Sequence, residues 1–425
     1  MTTHILIPRA NSTIANSFSS AFADENDVAG RRPSFANLLG SLPSNRYPAI
    51  DFAASLGDSA PPTGRFAGSP TEIHSEATIN RHLPRSLEHL GVLIVDDLEE
   101  DDILMLDSAE VDVVTNFEIL LEHPVEEKEA AEIDTWHLNK VNIEAARSQG
   151  LDGQGIRIGV LDTGIDDSHP EFSGKSVQFM EFDQQGYKVN ATAWDAGSHG
   201  THVSAIAAGN TVGVAPAASL AVAAVLTNQT PRGLSGTFAQ ILAGLNWLLQ
   251  SNFSEEGTPD EVGVVNASLG GIGYDPYLYS VLSLARIVPG TQLIAAIGNA
   301  GPSSQRHGSP GNYDIVVGCG STNSADKVSG FSSWGTVAAH ADIPKPDMCA
   351  PGDPVVSATP GGGYAAMRGT SMASPMVSGA AALLLQKHSV LRRNPSNLAA
   401  ALLALTLPIG QTHKAGRGRL DLTNI

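Results

Sequence analysis

At 425 residues, with 42% apolar and 16% charged side chains, the chain is long enough for one large globular domain with an accessory, or for two or three ordinary domains. Its formal net charge of −19 argues against binding nucleic acid or anionic membranes through electrostatic attraction. The acidity is concentrated in residues 1–130, which hold 22 Asp and Glu against 8 Lys and Arg, whereas residues 131–425 hold 22 against 17. We interpret this charge as a contribution to solubility.

The first residues contain no basic segment and only a three-residue apolar run, so we predict no secretory signal. The most apolar stretch, residues 398–407, is too short to cross a bilayer. We therefore expect a soluble protein without membrane contact, with its compartment undetermined and the cytoplasm favoured. Two cysteines, Cys319 and Cys349, are better read as buried free thiols than as a disulfide, although their spacing alone does not decide this.

The N-terminal third has its own texture. Residues 25–75 are rich in Pro, Gly, Ser and Asn and predict a loop-rich insertion. Residues 90–96 predict a strand, 99–109 a helix, and 111–121 a second strand-like run. The polar residues 126–132 predict a linker or the start of an exposed helix.

From about Ile133 onward, short apolar runs alternate with segments of helical periodicity. The pattern predicts an α/β fold with a mostly parallel, doubly wound sheet and helices on both faces, preceded by a small α+β domain. We place the boundary between residues 1–124 and 125–425. The predicted strands are 156–161, 262–267, 292–297 and 314–317, and the predicted helices are 202–208, 236–249 and 371–387.

Three short segments carry candidate chemistry. Asp162 lies at the carboxyl end of a predicted strand, in Val-Leu-Asp-Thr-Gly-Ile-Asp. His199 precedes a helix of small residues, in His-Gly-Thr-His-Val, and Ser371 opens the long helix, in Gly-Thr-Ser-Met-Ala-Ser-Pro. Serine is a weak nucleophile that needs an adjacent base, and the base needs a group that fixes its tautomer. A fourth segment, Gly-Asn-Ala-Gly around Asn299, offers a side-chain amide that can donate to a developing oxyanion.

These four segments, in this order, resemble the subtilisin-like serine proteases (the subtilase family), and the likeness extends from about Trp136 to the end of the chain. The resemblance implies a serine endopeptidase with Asp162 as the orienting carboxylate, His199 as the general base and Ser371 as the nucleophile. It also implies that Asn299 shares the oxyanion hole with the backbone N–H of Ser371. In studied members of this class, losing such a donor raises the barrier by about 2.7–4 kcal/mol.

The same resemblance implies where a substrate lies. An extended peptide would be held as an added strand between the segment Ser268, Leu269 and Gly270 and the segment around Gly236. Phe238 and Leu269 would line an apolar pocket about four residues before the cut. Ala295, Ala296 and Gly298 would form the floor of the pocket for the residue just before the cut, and their small size favours a large apolar side chain there. Ordinary packing in the core or a loop is the alternative for each pocket residue.

The resemblance also concerns what surrounds the catalytic region. Residues 207–216 lack the longer loop that binds calcium in many family members, so we assign no metal and no cofactor, while the resemblance leaves calcium binding open. Residues 1–124 weakly resemble the family's inhibitory pro-domain, which predicts a zymogen that cleaves itself between about Leu120 and Glu132. An unrelated accessory domain that stays attached is the alternative.

Other functions are compatible with parts of the sequence. Asp-Thr-Gly also occurs in aspartic proteases, which need two such motifs, and this chain has one. A protease dedicated to processing one peptide or protein stays open, as does a catalytically inactive relative that only binds peptides. Partners are expected to be a peptide or protein substrate and the chain's own pro-region.

Overall fold

The computed structural model describes residues 2–9, 84–108, 111–121, 125–189, 191–250, 253, 261–285, 291–301, 306–340 and 342–425. The predicted insertion at 25–75 lies outside the described residues. The chain divides into two compact units, one formed by Met1–Phe117 with Ser280–Ile287 and the other by Glu118–Tyr279 with Val288–Ile425. This division falls between Phe117 and Glu118, a few residues before the boundary expected from the sequence.

The first unit contains an antiparallel sheet in the order β2-β3-β1-β4. Its core is a small apolar cluster that includes Leu6, Leu93 and Leu106, the last of which comes from the helix. Its elements are β1 (Thr3–Pro8), β2 (Arg85–Leu87), β3 (Val92–Asp96), α1 (Glu100–Ser108) and β4 (Val111–Thr115). The predicted strand and helix at 90–109 are therefore present, whereas the strand-like run 111–121 is broken after Thr115.

The second unit is built on a ten-stranded sheet in the order β23-β24-β20-β17-β15-β13-β7-β10-β8-β9. Its strands are parallel except at the two edges, where β9 and β23 run antiparallel to their neighbours. The first elements of this unit are β5 (Glu118–Leu120), β6 (Glu126–Glu129), α2 (Trp136–Lys140), α3 (Ile143–Arg147), β7 (Arg157–Asp162), β8 (Val177–Phe182), β9 (Lys188–Val189), α4 (His199–Ala208), β10 (Ser219–Ala224), β11 (Asn228–Thr230), β12 (Gly233–Thr237) and α5 (Phe238–Leu248).

The remaining elements complete the sheet and add three short two- or three-stranded ribbons. They are β13 (Val264–Ala267), β14 (Gly271–Ile272), α6 (Pro276–Ala285), β15 (Gln292–Ala296), β16 (Gly308–Ser309), β17 (Val317–Asn323), β18 (Gly335–Val337), β19 (Ile343–Lys345), β20 (Met348–Asp353), β21 (Val355–Thr359), β22 (Gly363–Arg368), α7 (Thr370–Lys387), α8 (Pro395–Ala404), β23 (Thr406–Leu407), α9 (Thr412–Ala415) and β24 (Arg419–Leu420). Within the described residues, no helix is long and apolar enough to cross a membrane.

The sheet is wound in both directions from β7. From β7 the chain adds β8 and β10 on one side, and then crosses to add β13 and the later strands on the other. All six residues of β7 are buried, as expected for a parallel strand covered on both faces. The carboxyl end of β7 therefore lies at the point where the strand order reverses, which is where open α/β sheets form a crevice.

Local sequence fixes the helices that pack on this sheet. Thr237 caps α5 and forms a capping box with Gln240, which satisfies free N–H groups of the first turn. The helix α7 is buried from Thr370 to Leu385, so it is a central core helix rather than an amphipathic surface helix.

Cys319 and Cys349 are both buried free thiols on the neighbouring strands β17 and β20, as the sequence suggested.

One sequence prediction about local structure is wrong. Residues 126–132 do not form a linker or helix start, because Glu126–Glu129 pair as β6 with Ala365–Arg368 of β22 in an antiparallel ladder. Backbone pairing at the free edge of β22 outweighs the low strand propensity of consecutive glutamates.

The contact between α7 and α4 yields a stability prediction. A Cβ on Gly379 would lie 2.6 Å from Val214 Cβ and 2.9 Å from the Ala207 carbonyl oxygen. We expect Gly379→Ala, in a Ser371→Ala background, to lower the free energy of unfolding by about 1–3 kcal/mol through overpacking. Urea unfolding measures the loss. Gly330→Ala is the control, since its Cβ would meet no atom within 4 Å; an equal loss in both variants would contradict the packing argument.

Candidate active site

A buried carboxylate and a buried imidazole meet at the carboxyl end of β7. Asp162 is the last residue of that strand and is fully buried, and His199 is the first residue of α4. His199 Nδ1 lies 2.7 Å from Asp162 Oδ1, and the Thr163 backbone N–H donates to the same oxygen at 2.8 Å. The bond to the carboxylate fixes the proton on Nδ1 and leaves Nε2 as the basic nitrogen.

A second carboxylate, Asp195, holds the start of α4 in place. One of its oxygens accepts hydrogen bonds from Thr163 Oγ1 at 2.6 Å and from the Gly197 backbone N–H at 3.0 Å. The other accepts from the Thr201 backbone N–H and hydroxyl, at 2.8 and 2.6 Å. Asp195 thereby ties the strand end that carries Asp162 to the helix start that carries His199. No local pattern in the sequence predicted a role for Asp195 at this site.

The charges around His199 favour its protonated form. Burial lowers the pKa of His199, but the charge and hydrogen bond of Asp162, with the charges of Asp195 and Glu127, outweigh burial and raise the pKa above 6.5. The imidazole therefore acts as a proton acceptor only above that raised pKa. By linkage, the protonated imidazole stabilises the fold below pH 6.5, and this stabilisation is lost as the pH rises through the pKa of the folded state.

The neighbouring His202 has the opposite character. Its Nε2 lies 3.0 Å from the Ala365 carbonyl oxygen, and burial lowers its pKa to about 3. It is therefore neutral at physiological pH and holds α4 against β22.

Ser371 is the second residue of α7, where the first backbone N–H groups of the helix have no carbonyl partner. Its side chain is almost fully buried, and its Oγ lies 3.4 Å from the Ser268 carbonyl oxygen, a long hydrogen bond. His199 Nε2 makes no hydrogen bond to any described residue, so the link between imidazole and hydroxyl is not made in this structure. Such bonds are often long before substrate binds.

Two hydrogen-bond donors, the side-chain amide of Asn299 and the backbone N–H of Ser371, lie near Gly369. The Thr370 backbone N–H and hydroxyl both donate to Asn299 Oδ1, at 2.9 and 3.0 Å, and this orients the amide. A Cβ on Gly369 would lie 3.5 Å from Asn299 Nδ2 and 3.6 Å from the Ser371 backbone nitrogen. Asn299 Nδ2 and the Ser371 backbone nitrogen therefore lie close to one point next to the nucleophile, where an oxyanion hole would need its donors.

A ladder of buried hydroxyls and an amide fastens α7 to β13. Ser268 Oγ donates to the Ser371 carbonyl oxygen at 2.9 Å and lies 2.8 Å from Ser374 Oγ. Asn266 Nδ2 donates to Ser268 Oγ at 2.9 Å, and Ser378 Oγ donates to Asn266 Oδ1 at 3.0 Å. Because these groups satisfy one another in the core, they fix the position of the helix end that carries Ser371.

A narrow pocket, without room for a water molecule in this structure, adjoins Ser371. Gly270 forms part of its wall, where a Cβ would lie 2.4 Å from the Ser309 carbonyl oxygen. Of the predicted substrate residues, Ala295 and Phe238 are fully buried and do not line this pocket, and Gly236 lies on β12 instead. Gly308 and Ser309 line it but were not predicted. The lining residues are Ser268, Leu269, Gly270, Ala296, Gly298, Gly308, Ser309 and Ser371.

Two segments of the chain itself pair with strands beside this site. Glu118–Leu120 run antiparallel to Ser235–Thr237 of β12, and the Leu121 N–H donates to the Leu234 carbonyl oxygen at 2.9 Å. Further along, the Val125 N–H donates to the Arg368 carbonyl oxygen at 2.7 Å, where β6 joins β22, three residues before Ser371. An extended peptide therefore lies along each of these two edges.

The side chain of Glu171, from the segment between β7 and β8, binds the turn that follows α4. Its Oε2 accepts from the Thr211 and Val212 backbone N–H groups, at 2.7 and 3.3 Å, and its Oε1 accepts from the Tyr364 hydroxyl at 2.9 Å. These three donors hold the carboxylate of Glu171 against the turn that follows α4. Within the described part of the chain, no group of three or more His, Cys, Asp and Glu could hold a metal ion.

Residues 153–417 match the Subtilase family. Subtilisin E of Bacillus subtilis (strain 168) is 35% identical over 268 residues, which cover 61% of this chain and 63% of that protein. Subtilisin of Bacillus pumilus is 35% identical over 261 residues, covering 60% and 85%. Alkaline serine exoprotease A of Vibrio alginolyticus is 32% identical over 316 residues, covering 73% and 51%. The match thus spans less than two thirds of the Bacillus subtilis relative.

The groups around His199 predict how its pKa should change when Asp162 is replaced. In a Ser371→Ala background we expect Asp162→Asn to lower the pKa of His199 below that of the parent, because burial then meets less opposing charge. Titration of the imidazole by NMR, assigned with a His199→Gln variant, gives this pKa. Asp166→Asn is the control, since that carboxylate accepts from Ser168 and Gly361 instead. An unchanged pKa in Asp162→Asn would contradict the assignment of the raising groups.

Proposed function

Since the chain belongs to the Subtilase family, we propose that it is a serine endopeptidase that hydrolyses peptide bonds through an acyl-enzyme on Ser371. The observation that carries this proposal is the 2.7 Å hydrogen bond between the buried Asp162 and His199. It lies at the carboxyl ends of the central strands, where Ser371, the Asn299 amide and the Ser371 backbone N–H also lie. A protein that only bound peptides would have no use for this set of groups.

In the proposed reaction, His199 Nε2 takes the hydroxyl proton of Ser371 while Oγ bonds to the carbonyl carbon of the substrate. The carbonyl oxygen becomes an oxyanion that accepts hydrogen bonds from Asn299 Nδ2 and the Ser371 backbone N–H. The imidazolium, held by Asp162, then gives its proton to the leaving amine as the C–N bond breaks. Water repeats the sequence on the acyl-enzyme and releases the carboxylic acid product.

The substrate would bind in extended form, paired with β12 as the chain's own residues Glu118–Leu120 are. The side chain just before the cut would enter the pocket beside Ser371, where Leu269 and Ala296 favour an apolar group. The preference for a large side chain at this position stays a prediction, because the pocket in this structure is too narrow to show it.

We further propose that the protein is made as a zymogen and cleaves itself between Leu121 and Val125. Residues before this interval pair with β12, which approaches Gly197 near His199, and residues after it pair with β22, which ends three residues before Ser371; this supports a cut within the interval. The acidic segment before the cut would then act as the chain's own inhibitor and first substrate.

A catalytic-residue variant tests the proposed activity and processing together. We expect purified wild-type protein to lose its N-terminal segment at a bond between Leu121 and Val125, whereas Ser371→Ala keeps its full length. We also expect a fluorophosphonate probe to label wild type on the Ser371 peptide, and to label Ser371→Ala not at all. Intact-mass and peptide mass spectrometry measure both outcomes.

Ser148→Ala, which changes an exposed serine bonded to the Ala145 carbonyl oxygen, is the matched control and should be processed as wild type is. Shortening of Ser371→Ala to the wild-type product would exclude self-cleavage. Absence of probe labelling in shortened wild-type protein would favour a peptide-binding relative without catalysis.

We propose that Glu171 stabilises the turn after α4 in place of a calcium ion. We expect excess EDTA to leave the melting temperature of Ser371→Ala protein unchanged. Glu171→Gln should lower the free energy of unfolding by about 1–3 kcal/mol, because the backbone N–H groups of Thr211 and the buried Val212 lose their charged acceptor. Glu144→Gln, a change at an exposed glutamate, should have little effect. A large drop on adding EDTA would show that a metal ion carries the stability.

A further inference from the structure

The carboxylate of Glu118 is held by two groups of the β11–β12 hairpin. Arg232 Nη2 forms an ion pair with Glu118 Oε2, and Ser235 Oγ donates to Glu118 Oε1 at 3.0 Å. The backbone of the same residue lies opposite Thr237 in the ladder between β5 and β12. Glu118 is therefore recognised through both its backbone position and its charge.

Ser235 is a built part of this contact rather than a chance surface neighbour. It is 1% exposed, and its hydroxyl has two acceptors within reach, Glu118 Oε1 at 3.0 Å and the Asn228 carbonyl oxygen at 3.4 Å. A hydroxyl has one proton to donate, and the shorter and charged acceptor is the stronger one. The buried donor is thus directed at the place where a carboxylate lies.

Any peptide that pairs with β12 in the same register would meet the same two side chains, Arg232 and Ser235. Leu120 lies opposite Ser235 and Glu118 opposite Thr237, so Glu118 and Leu120 point to the same face as Ser235, while Ile119 points to the other. A substrate strand bound to β12 in this register would place its own side chain between Ser235 and Arg232. A lysine there would face a like charge, and an apolar residue would leave the arginine without its partner.

We propose that Arg232 and Ser235 form an acid-selecting subsite, which favours substrates with Asp or Glu at the position opposite Thr237. This inference rests on the proposed peptidase function and deepens it, because it names a chemical class of substrate. Arg232 is 67% exposed, so its contribution is modest and is screened by salt.

The first test uses peptides with the sequence of residues 112–129, which contain the proposed cut, and self-processed wild-type enzyme. We expect kcat/KM at low salt to be about fivefold higher for the natural peptide with Glu118 than for the peptide with Gln at that position, and lowest for Lys. Salt at 0.5 M should reduce the preference, as Debye screening requires. In Arg232→Gln the Glu and Gln peptides should be cleaved at nearly equal rates.

Arg393→Gln is the matched control. It removes the same charge from an arginine that is 63% exposed and pairs with Glu261 instead of a residue of β5 or β12. This variant should keep the full preference for the Glu peptide. Equal cleavage of the Glu, Gln and Lys peptides by wild type would overturn the inference while leaving the peptidase function standing.

The second test needs no catalysis. In a Ser371→Ala background, hydrogen exchange reports on the amide of Leu121, which donates to the Leu234 carbonyl oxygen at 2.9 Å. We expect Glu118→Gln and Arg232→Gln each to speed this exchange about fivefold, with little further change in the double variant, because each removes the same interaction. Arg393→Gln should leave it unchanged.

The two tests separate the possible failures. Faster exchange without peptide hydrolysis would support the acid-selecting contact and refute the peptidase function. Exchange that is the same in all variants would show that the ion pair contributes nothing to strand pairing, and would overturn the acid-selecting subsite.

Discussion

The candidate site depends on keeping one ionised carboxylate inside the protein. Asp162 is fully buried, and a buried charge is costly unless it is hydrogen-bonded and paired. The Thr163 N–H and His199 Nδ1 both bond to Asp162 Oδ1. The same geometry orients the imidazole, so the contact that makes the burial tolerable also prepares the base. Asp195 maintains this geometry, because it bonds both Thr163, next to Asp162, and Thr201, in the first turn of the helix that begins at His199.

The segments around Asp162, His199 and Ser371 could be predicted from the sequence because each carries its chemistry in consecutive residues. The alternation of apolar strands and helices likewise predicted the parallel sheet, and the match to the Subtilase family confirms that fold class. Helix ends were less predictable. The helix α4 begins at His199, three residues before the apolar period indicates, because Asp195 fastens its first turn through bonds that no local pattern reveals.

Contacts between distant parts of the chain explain what the sequence did not predict. Gly308 and Ser309 form β16 and line the pocket because the Ser309 carbonyl oxygen approaches Gly270 closely, and nothing in the neighbouring sequence predicts this. The glutamates of β6 lack the alternation of a half-buried strand, yet the edge of β22 pairs with them. The partner that determines their conformation lies far along the chain, so propensity alone gave the wrong structure.

The pairing of β5 with β12 has a kinetic consequence, because both strands belong to one polypeptide. A tethered strand meets its partner at an effective concentration set by the intervening chain and not by how much protein is present. A bond broken beside such a strand would be cut in a first-order event, at a rate that dilution does not change. A free peptide must instead reach the same edge by diffusion, and each molecule in solution competes with a segment that is already in place.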